Sequence, residues 1–406
     1  MYSFLSFLLF VFSTQNVKAQ KYISGKKLCQ GVAVKQNGAW VTVPNNYKKS
    51  KLETSPLYYR FLGGKYDVTK PTVVYVDGGP GATSHNYHKL YDDLAKEFNI
   101  LFFDQRGFVC SRPDSKAIQD DPNFYSVENS ARDIEEIRKE LGIERIIILG
   151  HSFGATIGLK YAELFPEKVK KVTLIGPAFI TPENQKEKDE FIKNLRVKTD
   201  SFITHELHTC DSLKLVHDLS YDFANSLGIE GLEKLVEKVQ SDLLKDKSLM
   251  EVKEGYEFLS SLFEGNLGKF ALRDETYTWE TQGDTEFVMQ NDFKCSFLFD
   301  QHKEYCKVGE VGDQNTFDIK KMKVSVPVDI FLGEFDGTEK ELKRIDSYIK
   351  SGNTYYLKER GHGAFTEFYD NNSFEKAKLS SEVLTRSLLN KRIPVNLREK
   401  LWIKKL

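Results

Sequence analysis

The sequence predicts an α/β protein: a mostly parallel sheet covered by helices on both faces, with a mainly helical insertion. Three observations predict it. Short apolar runs alternate with helically spaced stretches between residues 71 and 178. The alternation resumes at about Val324 and runs to Leu357. Between them, residues 180–322 are rich in charge and helical by spacing. Continuous apolar strands separated by amphipathic helices describe a parallel sheet buried on both sides.

The elements follow in chain order. Phe4 to Phe12 is a short apolar run, and Val17-Lys18-Ala19 sets small residues at −3 and −1 of a cleavage site after Ala19. This has the form of a secretory signal peptide over residues 1–19, and the mature chain is expected to be secreted or periplasmic. The run falls well short of the roughly 20 residues that cross a bilayer, so no membrane attachment is expected after cleavage. Gly38–Pro44 and Leu57–Phe61 read as an antiparallel entry hairpin. Strands are expected at Pro71–Val76, Ile100–Phe103, Ile146–Leu149, Val172–Ile175, Val328–Leu332 and Thr354–Leu357. Helices are expected at His88–Phe98, Ser130–Leu141 (with Ser130 as N-cap) and Ala155–Leu164. The core is thus 20–179 plus 323–406, and 180–322 is an inserted cap.

Composition bounds the partners. The chain has 58 basic and 59 acidic residues, a formal net charge of −1, so nothing draws it to nucleic acid or anionic lipid. Cys29, Cys110, Cys210, Cys295 and Cys306 are an odd set, with Cys295–Cys306 the expected bridge. Cys-x-x-Cys and His-Glu-x-x-His spacings do not occur, and no metal or organic cofactor is expected.

Gly150-His151-Ser152-Phe153-Gly154 follows one expected strand directly and opens an expected helix. Strand, sharp turn and helix is the setting in which Gly-x-Ser-x-Gly presents a nucleophilic serine. The Phe153 N–H, at the helix start, is a candidate oxyanion donor. A serine needs a base and the base an orienting acid, in the chain order Ser, acid, His. Among eight histidines, His362 lies between glycines just after the last expected strand. Asp336 lies in the loop after Val328–Leu332, with Glu334 and Asp329 as competitors. Asp77-Gly78-Gly79-Pro80-Gly81 ends an earlier strand, and Gly79 is the candidate second oxyanion donor.

Four stretches resemble the prolyl aminopeptidase branch of the α/β-hydrolase fold: Gly78–Gly81, Phe103-Asp104-Gln105-Arg106-Gly107 with Ser111, Asp133–Ile143, and the elbow through Val169. The resemblance implies an α/β-hydrolase core and release of N-terminal residues from short peptides. It also implies cap carboxylates that hold the substrate's ammonium group. Tyr277-Thr278-Trp279-Glu280 resembles the family's Trp-Glu element, which makes Glu280 the candidate and Glu304 a second. This chain departs from the pattern at Asp77, Val109-Cys110, His151 and Phe153, which counts against proline as the specific residue. The residues leave two alternatives open: an esterase-like hydrolase of small acyl esters, and a non-catalytic ligand-binding protein of the same fold. Epoxide hydrolase and dehalogenase chemistry would want an aspartate at 152.

Overall fold

The computed structural model describes residues 22–49, 53–78, 81, 89–119, 121, 124–179, 319–349, 351–365 and 374–406, with a few positions between 186 and 197. The expected signal segment and nearly all of the expected cap lie outside the described residues, as do Cys210, Cys295 and Cys306.

Among the described residues, nine strands form one sheet: β1 (Ala39–Pro44), β2 (Thr54–Phe61), β3 (Thr72–Val76), β4 (Asn99–Phe103), β5 (Ile146–His151), β6 (Val169–Ile175), β7 (Val328–Gly333), β8 (Gly352–Leu357) and β9 (Ile403–Lys405). Their order is β1-β2-β4-β3-β5-β6-β7-β8-β9. Strands β4, β3, β5, β6, β7 and β8 run parallel, and β1, β2 and β9 are antiparallel at the two edges. Among the described residues the helices longer than one turn are α1 (Gly25–Gln36), α2 (Lys89–Leu94), α3 (Val127–Glu140), α4 (Phe153–Leu164), α5 (Glu339–Asp346), α6 (Phe374–Leu388) and α7 (Val395–Lys400). None of the described helices is long and apolar enough to cross a membrane.

The period-two geometry of a strand explains the continuous apolar runs. Val74, Val76, Ile146 and Ile148 enter one core cluster, with Ile134, Ile137, Ile157 and Leu342 from α3, α4 and α5. Val73, Tyr75, Ile147 and Leu149 enter the other, with Leu90, Val383 and Leu397 from α2, α6 and α7. The central strands β3, β4 and β5 are therefore apolar at nearly every position.

One expectation changes, and one bridge is added to the expected Cys295–Cys306 pair, which lies outside the described residues. The N-cap of α3 is Ser126, whose side chain accepts from the Asn129 N–H at 3.0 Å, so the helix begins a turn before Ser130. The bridge among the described residues is Cys29–Cys110, which ties α1 to the loop after β4.

Register is what prepares a site. Val76 pairs with Gly150, His151 with Ile175, Ile175 with Phe331, and Gly333 with Leu357. The carboxyl ends of β3, β5, β6, β7 and β8 are thereby level, and the loops carrying the candidate residues leave from one edge. Such an edge is where open α/β sheets bind their ligands.

Candidate active site

Ser152 sits between β5 and α4 with φ 54° and ψ −124°, a backbone conformation that costs a non-glycine residue energy. Close approach explains the flanking glycine. A Cβ at Gly154 would lie 2.0 Å from the Val76 carbonyl oxygen. The first turn of α4 therefore presses on the end of β3, and the turn before it has to be sharp. The strained residue is held by its own backbone: its N–H donates to Ile175 at 3.0 Å, and its carbonyl accepts from Ala178 at 3.2 Å.

Asp336 and His362 meet across the ends of β7 and β8. His362 Nδ1 lies 2.8 Å from Asp336 Oδ1. The carboxylate accepts, so Nδ1 carries the hydrogen and Nε2 is left with its lone pair. The acid is the more covered partner, with its side chain 14% exposed against 33% for the histidine. Behind the pair is the turn after β6, where a Cβ at Gly176 would lie 2.9 Å from Asp336 Oδ2 and 3.0 Å from His362 Nδ1. The residue before it, Ile175, accepts the Ser152 N–H. The three expected residues thus gather around one strand end.

The two competing acids are occupied elsewhere. Asp329 is buried inside β7, 2.8 Å from Lys171 Nζ, and accepts from the Ser387 hydroxyl at 2.7 Å. Glu334 accepts the Glu359 N–H at 2.9 Å and holds the loop that leads to His362.

His151 has a larger part than its place in the pentapeptide suggests. Its ring lies 4.9 Å from the His362 ring, and its Nε2 donates to the His362 carbonyl oxygen at 3.2 Å. Its Nδ1 is 3.6 Å from Asp77 Oδ1. Asp77 in turn accepts from the Gly78 N–H at 2.7 Å and the Tyr75 hydroxyl at 2.9 Å. Burial alone would raise the Asp77 carboxyl. His151, the Gly78 N–H and the Tyr75 hydroxyl outweigh it, and the net shift is downward. The only sequence signal for this pair was that both residues depart from the expected pattern.

The glycine-rich loop reaches the serine. A Cβ at Gly78 would lie 2.6 Å from Ser152 Cβ and 3.1 Å from its Oγ. Phe153 follows the serine as the first residue of α4. Gly79, Glu280 and Glu304 lie outside the described residues.

Comparison with known proteins agrees with the fold. Residues 71–198 match the family model described as alpha/beta hydrolase fold. The chain is 30% identical over 149 residues to a proline iminopeptidase of Lactobacillus helveticus (strain DPC 4571), which is 36% of this chain and 48% of that one. It is 37% identical over 122 residues to a probable proline iminopeptidase of Streptomyces coelicolor, 30% of this chain and 36% of that one. A stretch of 118 residues is 35% identical to a probable 1-acylglycerol-3-phosphate O-acyltransferase of Oryza sativa subsp. japonica, 28% of this chain and 27% of that one. The chain spans about half the length, or less, of these curated relatives. It has the alpha/beta hydrolase fold, and about a third of the chain is similar in sequence to proline iminopeptidases.

Proposed function

We propose that this chain is a secreted serine hydrolase, an aminopeptidase that releases N-terminal residues, with proline one candidate, from short peptides. The observation that carries the reading is the Asp336–His362 hydrogen bond at 2.8 Å, set beside a strained Ser152 elbow. Partial sequence similarity to proline iminopeptidases supports the direction.

In this reading Ser152 Oγ attacks the substrate carbonyl, and His362 Nε2 takes its proton. Asp336 keeps the imidazole in the productive tautomer and stabilises the imidazolium that forms. The N–H groups of Phe153 and Gly79 receive the oxyanion, where each such donor contributes about 10²–10³ in kcat. His362 returns the proton to the leaving amine. Water, activated by the same histidine, then hydrolyses the acyl-enzyme and frees Ser152. Glu280, with Glu304 second, holds the substrate's free ammonium, and the cap of residues 180–322 keeps folded proteins out. The reaction calls on no metal or organic cofactor. Secretion is supported by the Cys29–Cys110 disulfide, a bond that persists in oxidising compartments.

Esterase-like acyl chemistry is the second reading. The similarity to a probable O-acyltransferase favours it, and the same three residues would serve.

The test is turnover of paired chromogenic substrates by the chain and its Ser152→Ala variant. One set carries free-amine proline, alanine and short peptidyl amides; the other carries N-acetylated amides and short acyl esters. An aminopeptidase cleaves the free-amine amides and loses that activity in the variant. Ester cleavage without amide cleavage would remove the peptidase reading and keep Ser152.

A further inference from the structure

His151 ends β5 and directly precedes Ser152. Its Nε2 lies 3.2 Å from the His362 carbonyl oxygen. A carbonyl only accepts, so Nε2 carries a hydrogen and donates it. The ring is held from its other side as well. Nδ1 faces Asp77 Oδ1 at 3.6 Å, and Asp77 accepts from the Gly78 N–H and the Tyr75 hydroxyl. Tyr75 packs against Tyr91 of α2 with ring centroids 4.8 Å apart, and both tyrosines are buried. The end of β3, backed by the core beneath α2, therefore fixes where His151 can stand.

The carbonyl it meets belongs to a short turn anchored at both ends. At the start, the Arg360 carbonyl accepts from the Phe335 N–H at 2.9 Å. At the end, the Ala364 N–H donates back to Gly361 at 3.3 Å, and Ala364 and Phe365 are buried. Between these anchors His362 is gripped twice, by Asp336 at its side chain and by His151 at its backbone. The same carbonyl oxygen lies against the turn after β6, where a Cβ at Gly176 would come within 3.0 Å of it. The two grips do different work. A ring held only at Nδ1 can still pivot about that bond, and Nε2 on its far side swings with it. A fixed backbone removes the pivot.

We infer that His151 is a positioning residue for the base: its Nε2–H ties the His362 backbone to the residue before Ser152, so that nucleophile and base are carried on one hydrogen-bonded unit. This rests on the serine hydrolase reading above. Misplacement of a reacting group by about 1 Å can cost about 10²-fold in rate. Three substitutions separate the donor from the ring. Glutamine carries its amide nitrogen about as far from the backbone as Nε2 and keeps a donor for the His362 carbonyl. Asparagine is too short to reach that carbonyl and keeps a donor on the Asp77 side. Phenylalanine keeps the ring and loses both nitrogens.

The experiment reads the rate at which diisopropyl fluorophosphate labels Ser152 in wild type, His151→Gln, His151→Asn and His151→Phe. Ser152 Oγ bonds phosphorus as fluoride leaves, and its proton passes to His362. The rate therefore reports on the nucleophile and its base without calling on an acyl pocket. We expect it to fall about 10–10²-fold in His151→Asn and His151→Phe, and to stay within about fivefold of wild type in His151→Gln. On whichever of the paired substrates the wild type turns over, kcat should follow the labelling rate, with KM within about threefold. Thermal midpoints identify a variant that folds poorly, and the asparagine and phenylalanine variants stand in for each other. Labelling within about twofold of wild type in every folded variant that lacks the donor overturns the inference alone. A folded glutamine variant as slow as the other two overturns it too, since the donor would then not be what matters. So does a change confined to KM, the mark of a residue that merely shapes the pocket. Wild type that takes no label at Ser152 overturns the hydrolase reading, and the inference with it.

Discussion

At the scale of single residues, the site depends on which groups have nothing else to do. Asp329 neutralises a buried lysine, and Glu334 caps a backbone N–H, so Asp336 is the acid left to meet His362. Asp336→Asn keeps the shape but reverses the tautomer preference, so that Nε2 would hold the hydrogen. We expect kcat to fall about 10³–10⁴-fold with the fold intact, measured by steady-state kinetics and circular dichroism. A loss of less than tenfold would mean that another group orients the base. The placement of Ser152, Asp336 and His362 at neighbouring strand ends was legible because the proposed chemistry demands a fixed chain order and fixed places there. The part played by His151 was not. Its ring meets His362 only because β5 and β8 bring their ends level, and spacing along the chain carries no trace of that contact.

Elements set the residues, and their own sequences say how. The central β-strands were readable because burial on both faces demands apolar residues with few breaks. The start of α3 was harder to read. Ser126 and Ser130 lie four residues apart, and the same hydroxyl chemistry suits either as a cap. In the structure Val127 and Ala131 are both buried, so the helix has to include them and Ser126 takes the cap. Ser126→Ala should cost about 1 kcal/mol in urea unfolding, and Ser130→Ala should lose no cap. A second test on α3 uses pH. Burial works to raise the Glu135 carboxyl, but hydrogen bonds from Arg138 and Tyr161 outweigh it and hold it below its ordinary value. A depressed carboxylate stabilises the fold fully above its unfolded pKa, and the contribution is lost as pH falls through the folded one. Glu135→Gln should therefore lower the thermal midpoint most near neutral pH. The gap to wild type should narrow below the ordinary glutamate range. A gap that widens on acidification would contradict this sign.

On the scale of the molecule, two core clusters of the described residues flank one sheet, and helix α1 is tied covalently to the loop after β4. Helix α1 buries only a narrow stripe of Gly25, Cys29 and Ala33, too weak a pattern to announce a helix in the sequence. Its place is set by the disulfide and by the Gly25 N–H, which donates to the Arg112 carbonyl at 3.1 Å. The bond closes a loop across a sequence separation of 81 residues, so Cys29→Ser should cost about 2–4 kcal/mol in reversible unfolding. An unchanged midpoint would mean that α1 docks without the bond. Strand β9 was equally hidden, because three residues paired antiparallel to β8 leave no periodic signal. The central claim is that strand register assembles Ser152, His362 and Asp336 into one nucleophilic unit. The most direct measurement is labelling by diisopropyl fluorophosphate, with the modified residue mapped by mass spectrometry. The account predicts one phosphoryl group per chain, on Ser152, and its loss in His362→Ala. Labelling elsewhere, no labelling, or equal labelling of the His362→Ala variant would contradict it.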